Sequence, residues 1–389
     1  MLSDYLPDEV VRLPEILHKL PVKSLIRFRC VSKLWNSRIT SPAFINSRLT
    51  QSLSLYPNTL IVRHCASSYP YIEHYKLFRD ENDSFDQIQQ LDFPVSSRRI
   101  HHFMLIGSVN GLFSLHEQER FILWNPSIKK SITLPKPCIT FKIHGSVSSH
   151  LALGFDPRTN DYKVVRIAFI SRNHIPGEPE IPIVEVYSLS EGSWRITSAS
   201  ASFPPGISFN DWNHPAASLN GAVHFAVHDR GNAYCPLVLS FDLGDEVFRV
   251  ISVPNGKFNA GDSVHTSVFG GSLSLLCHDT RKHTVSCSIW VMKEYGVVDS
   301  WTKQFTVDLN GGIERVLGRE NGHILVGAKV GFDWELSSYD PESQQVKNFG
   351  IHGGPFHFHV DNFVENLVML DKSNYGVSRR GVSRKRKCR

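Results

Sequence analysis

No stretch of this chain approaches the ~18 to 20 uninterrupted apolar residues that a membrane-spanning helix needs, so no helical membrane anchor is expected. The opening Met1-Leu2-Ser3-Asp4-Tyr5-Leu6-Pro7 lacks a basic segment followed by an apolar block. That predicts no secretory signal and a cytoplasmic or nuclear location. Cysteine is sparse: seven in 389 residues, odd in number, scattered, and never spaced as Cys-x-x-Cys. Buried free thiols fit this better than a disulfide framework or a zinc site. Also missing are a Gly-x-Ser-x-Gly elbow, a P-loop, a His-Glu-x-x-His pair and a dinucleotide fingerprint. No catalytic residue, cofactor or metal is therefore expected.

Acidic residues are absent from one region. Lys372 to Arg389 carries eight Lys or Arg and no Asp or Glu. Setting that tail aside leaves 34 of the 42 basic residues against 37 acidic ones, a body of net charge −3 that does not read as a nucleic-acid binder. The tail, 371–389, reads as a disordered basic end. Its Arg379-Arg380 pair and the run Arg384, Lys385, Arg386, Lys387 form a candidate nuclear-import signal.

What is present divides the chain in two. Residues 1–50 read as helices. Pro21 sits where a first turn tolerates proline, and Val22, Leu25 and Phe28 follow at helical spacing. Ser32 is placed to cap a helix carrying Leu34, Trp35 and Ile39, and Pro42 to open another. So small a module cannot bury all of these apolar side chains alone, which points to a partner.

From about residue 55 to 370 the pattern changes to short strands. One recurring feature is a Gly-centred turn leading into an apolar strand, at Asn110-Gly111, Asn220-Gly221, Gly270-Gly271 and Asn321-Gly322; Asn-Gly suits a tight turn because both residues tolerate positive φ. The intervals are 110, 50 and 51 residues, so a period near 50 with about four strands per period is indicated. That is the signature of an all-β, kelch-like β-propeller of about six blades, the first interval holding two. The other recurring feature is a strand ending in an Asp or Asn turn, at Asn125, Asp156, Asp242 and Asp340. These carboxylates are expected at equivalent turn positions, accepting backbone hydrogen bonds rather than doing catalysis. An irregular two-sheet β fold is the competing architecture.

The residues then become specific. Leu6-Pro7-Asp8-Glu9-Val10-Val11, the run from Glu15 to Trp35, and Ser41-Pro42-Ala43-Phe44-Ile45 closely resemble the F-box of plant F-box proteins. Downstream, Leu123-Trp124-Asn125-Pro126-Ser127, Gly154-Phe155-Asp156-Pro157, Asp161 to Arg166, Ile289 to Tyr295 and Ser300 to Lys303 resemble the kelch-like F-box-associated domain of that family. The resemblance implies a substrate-recognition subunit of a Skp–cullin–F-box ubiquitin ligase. Its F-box would dock on a Skp-type adaptor, and through it on a cullin and a RING subunit. Pro7, Leu20, Pro21, Val22, Leu25, Val31 and Trp35 would contribute to the adaptor interface. One departure is Arg12-Leu13-Pro14, three residues where the family usually has one. Two extra residues rotate a continuous helix by about 200°, so a restart or kink at Pro14 and weaker adaptor binding are expected.

A protein target would meet the longer irregular stretches around 173–182, 203–215 and 228–236. There Phe209, Trp212 and Tyr234 are aromatic anchors of the kind interfaces favour. The histidines at 352, 357 and 359 lack a completing ligand set and read as strand surface. Two other function classes compete: an adaptor-binding scaffold that does not support ubiquitination, and a propeller glycosidase, which the lack of paired carboxylates disfavours.

Overall fold

The computed structural model describes residues 13–369, apart from 56–57, 67–71, 82–83, 96–102, 171–180, 210–213, 233, 255–256, 259–261, 280–285, 310–312, 321–322, 332 and 355–357. Four helices come first: α1 (Leu13–Lys19), α2 (Val22–Phe28), α3 (Lys33–Ile39) and α4 (Pro42–Leu55). Pro21 stands one position earlier than expected, as the N-cap of α2 with extended ψ of 149°. Ser32 caps α3, its hydroxyl accepting the Trp35 N–H at 3.2 Å. Pro14 falls in the first described turn of α1, where a missing N–H is tolerated. The residues before Leu13, including Leu6-Pro7, lie outside the described ones.

Six sheets follow. The first holds β1 (Thr59–Cys65), β2 (Glu73–Glu81) and β3 (Ser84–Leu91); the second β4 (Met104–Val109), β5 (Leu112–Glu117), β6 (Arg120–Asn125) and β7 (Lys130–Thr133). A short helix, α5 (Phe141–His144), leads to the third: β8 (Val147–Asp156), β9 (Asp161–Ile170), β10 (Ile183–Ser188) and β11 (Ser193–Ile196). In the fourth, β12 (Ile207–Phe209) and β13 (Ala217–Leu219) both pair with β14 (Ala222–Asp229), followed by β15 (Cys235–Asp242) and β16 (Phe248–Ile251). The fifth comprises β17 (Ser263–Phe269), β18 (Ser272–Asp279), β19 (Ser286–Met292) and β20 (Trp301–Asp308). The sixth comprises β21 (Ile313–Glu320), β22 (His323–Val330), β23 (Asp333–Tyr339) and β24 (Val346–Gly353). Then β25 (His359–Asn362) returns to the first sheet and pairs with β1, Val62 opposite Val360.

That return closes a ring. The first strands of successive sheets neighbour one another around an axis, and Ser108 of β4 meets both His359 and Asp361 of β25. The fold is a six-bladed β-propeller behind an N-terminal helical module. Each seam between blades holds its own apolar cluster, for example Tyr75 edge-on to Trp124 at 4.7 Å, and Phe225 and Phe241 against Ile167.

The turns separate onto two faces. Counted outward from the axis, links between first and second, and third and fourth, strands lie on one face and are mostly tight, the exception being the eight-residue link from Lys293 to Ser300 between β19 and β20. Asn110-Gly111, Asn220-Gly221 and Gly270-Gly271 all have positive φ there, between 50° and 75°. They join the first two strands of blades two, four and five. In blade three the same link is Pro157 to Asn160, with no glycine, which is why the interval between the first two Gly turns is doubled. Asn125 and Asp242 end third strands and Asp340 directly follows one, and each accepts a backbone N–H two residues on, at 2.9 to 3.0 Å. Asp156 makes the same bond, to Arg158 N at 3.0 Å, but ends a first strand. The expected equivalence of these turns therefore holds for three and fails for Asp156, because an Asx turn suits any strand end on this face. Most of the longer links gather on the opposite face, together with the two-residue links β5–β6 and β22–β23.

Candidate functional site

The helical module has a core of Leu17, Val22, Leu25, Ile39 and Phe44, joined by Leu367 from the far end of the chain. Val22 and Leu25 of the expected partner-binding set therefore present no surface; Leu25 is 0% exposed. Position along α2 decides this, since both turn inward to the cluster with Leu17 of α1, Ile39 of α3 and Phe44 of α4. Leu20 and Trp35 are half-buried, with Trp35 tilted against Phe28 at 5.1 Å, and Pro21 is exposed. Val31 is 66% exposed, and Pro7 lies outside the described residues.

Sequence reasoning missed Ile16 and Leu34, exposed at 52% and 44%. It also missed the charge pattern. Residues 16–55 carry seven Lys or Arg (Lys19, Lys23, Arg27, Arg29, Lys33, Arg38, Arg48) and no Asp or Glu. Arg48 is buried and paired with Glu365, so the module shows water a set of large apolar side chains among the six other cations. That combination suits a protein surface that is apolar and acidic.

The face of the propeller bearing the long links points away from this module, because α4 enters β1, and β25 leaves, on the tight-turn face. Tyr234 stands exposed on the long-link face, between β14 and β15. Phe209 is instead half-buried near the axis, its ring stacked on His150 at 3.8 Å. Trp212 lies outside the described residues. The same face exposes Phe141 and Ile143 of α5, and Ile181. Ile181 lies in the 173–182 stretch expected to meet a target, whereas Phe141 and Ile143 alternate with polar residues and read as more strand, so nothing in the sequence marked those two as surface.

Along the axis, His214, Pro215 and Ala216 interrupt the inner strand of blade four and separate two spaces of about 350 and 100 Å3. The larger is lined by Ser108, His359 and Asp361, with the Ser108 hydroxyl 3.1 Å from His359 Nε2 and donating to Asp361. Burial raises the Asp361 pKa above the usual carboxylate value. His357 and the tail run Arg384 to Lys387 lie outside the described residues. Among the described residues, no three His, Cys, Asp or Glu gather as metal ligands.

Comparison with known proteins adds the following. Residues 65–368 match the family model for an F-box associated beta propeller domain, and residues 5–47 that for an F-box domain. F-box protein CPR1 of Arabidopsis thaliana is 27% identical, over 94% of this chain and 89% of its own length. The Arabidopsis thaliana F-box/kelch-repeat protein At3g23880 is 27% identical over 90% of each chain. Among solved structures, a chain of a nidogen/laminin complex aligns with a TM-score of 0.41 at 9% identity, covering 79% of this chain and 99% of that one. That likeness is too remote to bear on function.

Proposed function

This chain belongs to the family of F-box proteins with an F-box associated β-propeller domain, and from that premise we propose that it is the substrate-recognition subunit of an SCF-type ubiquitin ligase. The helical module binds a Skp-type adaptor, and through it a cullin and a RING subunit. The propeller holds a protein target. The chain's contribution to ubiquitin transfer is proximity: it brings a target lysine to a ubiquitin-carrying enzyme and supplies no acid–base chemistry of its own.

The observation that carries this reading is the helical surface: Ile16, Pro21, Val31 and Leu34 in water among six cations, with no acidic residue in the same stretch. Leu20, Pro21, Val31 and Trp35, with Ile16 and Leu34, make up the contact set, and Pro7 joins it by the family resemblance. Val22 and Leu25 act from beneath by holding α2 in place. The target meets the long-link face, with Tyr234 in reach and Phe209 recessed. The tail residues Arg384, Lys385, Arg386 and Lys387 serve nuclear import.

Co-purification with a purified Skp-type adaptor tests the core of this. The intact chain is expected to retain the adaptor, and a Val31→Asp/Leu34→Asp variant to lose it while keeping its circular dichroism spectrum. Equal retention by both, or by neither, overturns the assignment.

A further inference from the structure

Residues Phe363 to Met369 leave β25 on the tight-turn face and run beneath blade two toward blade three. The propeller grips this strap from one side. Asn125 Nδ2 donates to the carbonyls of Asn366 and Val368 at 2.9 and 3.0 Å. Asn366 Nδ2 donates in turn to the Asn110 carbonyl at 2.6 Å and the Tyr162 hydroxyl at 3.1 Å. Met369 is buried among Leu153, Tyr162 and Val164.

The other side of the strap belongs to the helical module. Leu367, 1% exposed, packs in one cluster with Leu17, Val22, Leu25, Ile39 and Phe44. The Glu365 carboxylate takes the Arg48 guanidinium at 2.8 Å, and the Glu365 N–H donates to Ser52 Oγ at 2.7 Å. Arg48 also donates to the His18 carbonyl, so one buried guanidinium ties α4 both to the end of α1 and to the strap.

We propose that Glu365 and Leu367 are positioning residues for adaptor docking: the helical module reaches its binding-competent packing only when the ring has closed and the strap behind β25 lies beneath it. The inference rests on the adaptor reading above. A module of four short helices has too little core to hold a fixed arrangement unaided. Leu367 supplies a missing wall of that core, and the chain delivers it only five residues after the closing strand. An unclosed propeller offers no such wall. A receptor with an unfolded target-binding part therefore keeps an unfinished adaptor surface and stays out of the ligase.

The test uses the full chain. Leu367→Asp is expected to speed amide hydrogen exchange in α1 and α2 while leaving the protection of β5, β14 and β18 unchanged, and to weaken adaptor affinity about tenfold or more. Leu367→Met is expected to stay within about twofold of the native chain. Native exchange in α1 and α2 of Leu367→Asp overturns the inference, whether or not the adaptor binds. If Leu367→Asp unfolds the propeller as well, Glu365→Lys and Leu367→Ala, which leave the Arg48–His18 bond in place, decide. Loss of helix protection in both with β5, β14 and β18 still protected supports the inference, and native helix protection in both refutes it. An intact chain with protected helices that ignores the adaptor defeats the ligase reading and leaves the packing claim standing.

Discussion

The imidazole of His224 and the phenol of Tyr295 meet at 2.7 Å, joining β14 of blade four to the turn after β19 in blade five. His224 Nδ1 lies 3.1 Å from the Ala217 carbonyl, so that nitrogen carries the proton and donates it, and Nε2 accepts from the Tyr295 hydroxyl. Both nitrogens are thereby used by the neutral ring. Burial, with no charge partner to offset it, lowers the His224 pKa to about 4. His64 on β1 shares the burial but bonds through one nitrogen only, its Nε2 being buried without a hydrogen-bond partner. Its Nδ1–H donates to the His352 carbonyl at 2.8 Å across the seam where the ring closes, and burial brings its pKa down to about 4.

Acid should therefore loosen two seams. An unfolded histidine titrates near 6.5, above the folded value for both residues, so protonation favours the unfolded chain. Their stabilisation is complete above about pH 6.5 and is lost progressively toward pH 4. Melting temperature should fall over that window. The fall should be shallower in a His64→Phe/His224→Phe variant, since carboxylates supply the rest of the slope. Parallel profiles in the two proteins would refute the assignment.

A second expectation concerns Arg166 and Glu185, a fully buried pair 2.5 Å apart in blade three. Arg166 also donates to the Ile139 carbonyl at 2.6 Å, and Glu185 accepts the Cys138 and Ile139 N–H groups at 2.9 and 3.1 Å. Blade one repeats the device: Arg63 reaches Glu73 and the Phe103 carbonyl, while Glu73 accepts Phe103 N–H. Glu185→Ala strands a buried guanidinium, so a loss of about 3 to 5 kcal/mol is expected by chemical denaturation. A loss below about 1 kcal/mol would mean that water reaches Arg166.

Two glycines with the same φ of +75° should respond differently to alanine. At Gly271 nothing lies near a Cβ, and the cost is only the left-handed backbone penalty, about 1 to 2 kcal/mol. At Gly111 a Cβ would collide with the Val364 carbonyl in the strap. Gly111→Ala should therefore destabilise more than Gly271→Ala and also weaken adaptor capture. Equal losses of stability, with capture intact, would show that the strap yields freely.

On the helical module, surface and core variants should separate. Leu25→Ala removes a fully buried side chain, at about 2 to 5 kcal/mol, and should reduce helical signal and adaptor capture together. Capture by the native module should also weaken as salt rises from 50 to 500 mM, because screening blunts the attraction of its six outward cations for an acidic partner. Salt-independent capture would assign the interface to apolar contact alone.

The sequence alone carried the period, the turn chemistry and the division into helices and strands, because these depend on local geometry. Asn110-Gly111 has to turn tightly wherever it sits, Ser32 has to cap, and a repeat near 50 residues has to stack its units. It could not say that Asp156 ends a first strand while Asp242 ends a third, since an Asx turn reads the same in either place. Nor could it tell Leu25 from Val31: both are apolar residues in a stretch that reads as helical, and only the tertiary packing puts Leu25 among Leu17, Ile39, Phe44 and Leu367 and leaves Val31 in water in the turn after α2. Least legible of all was Leu367. Its membership in the helical core depends on a ring that brings the two ends of the chain together, and no pattern local to either end encodes that meeting.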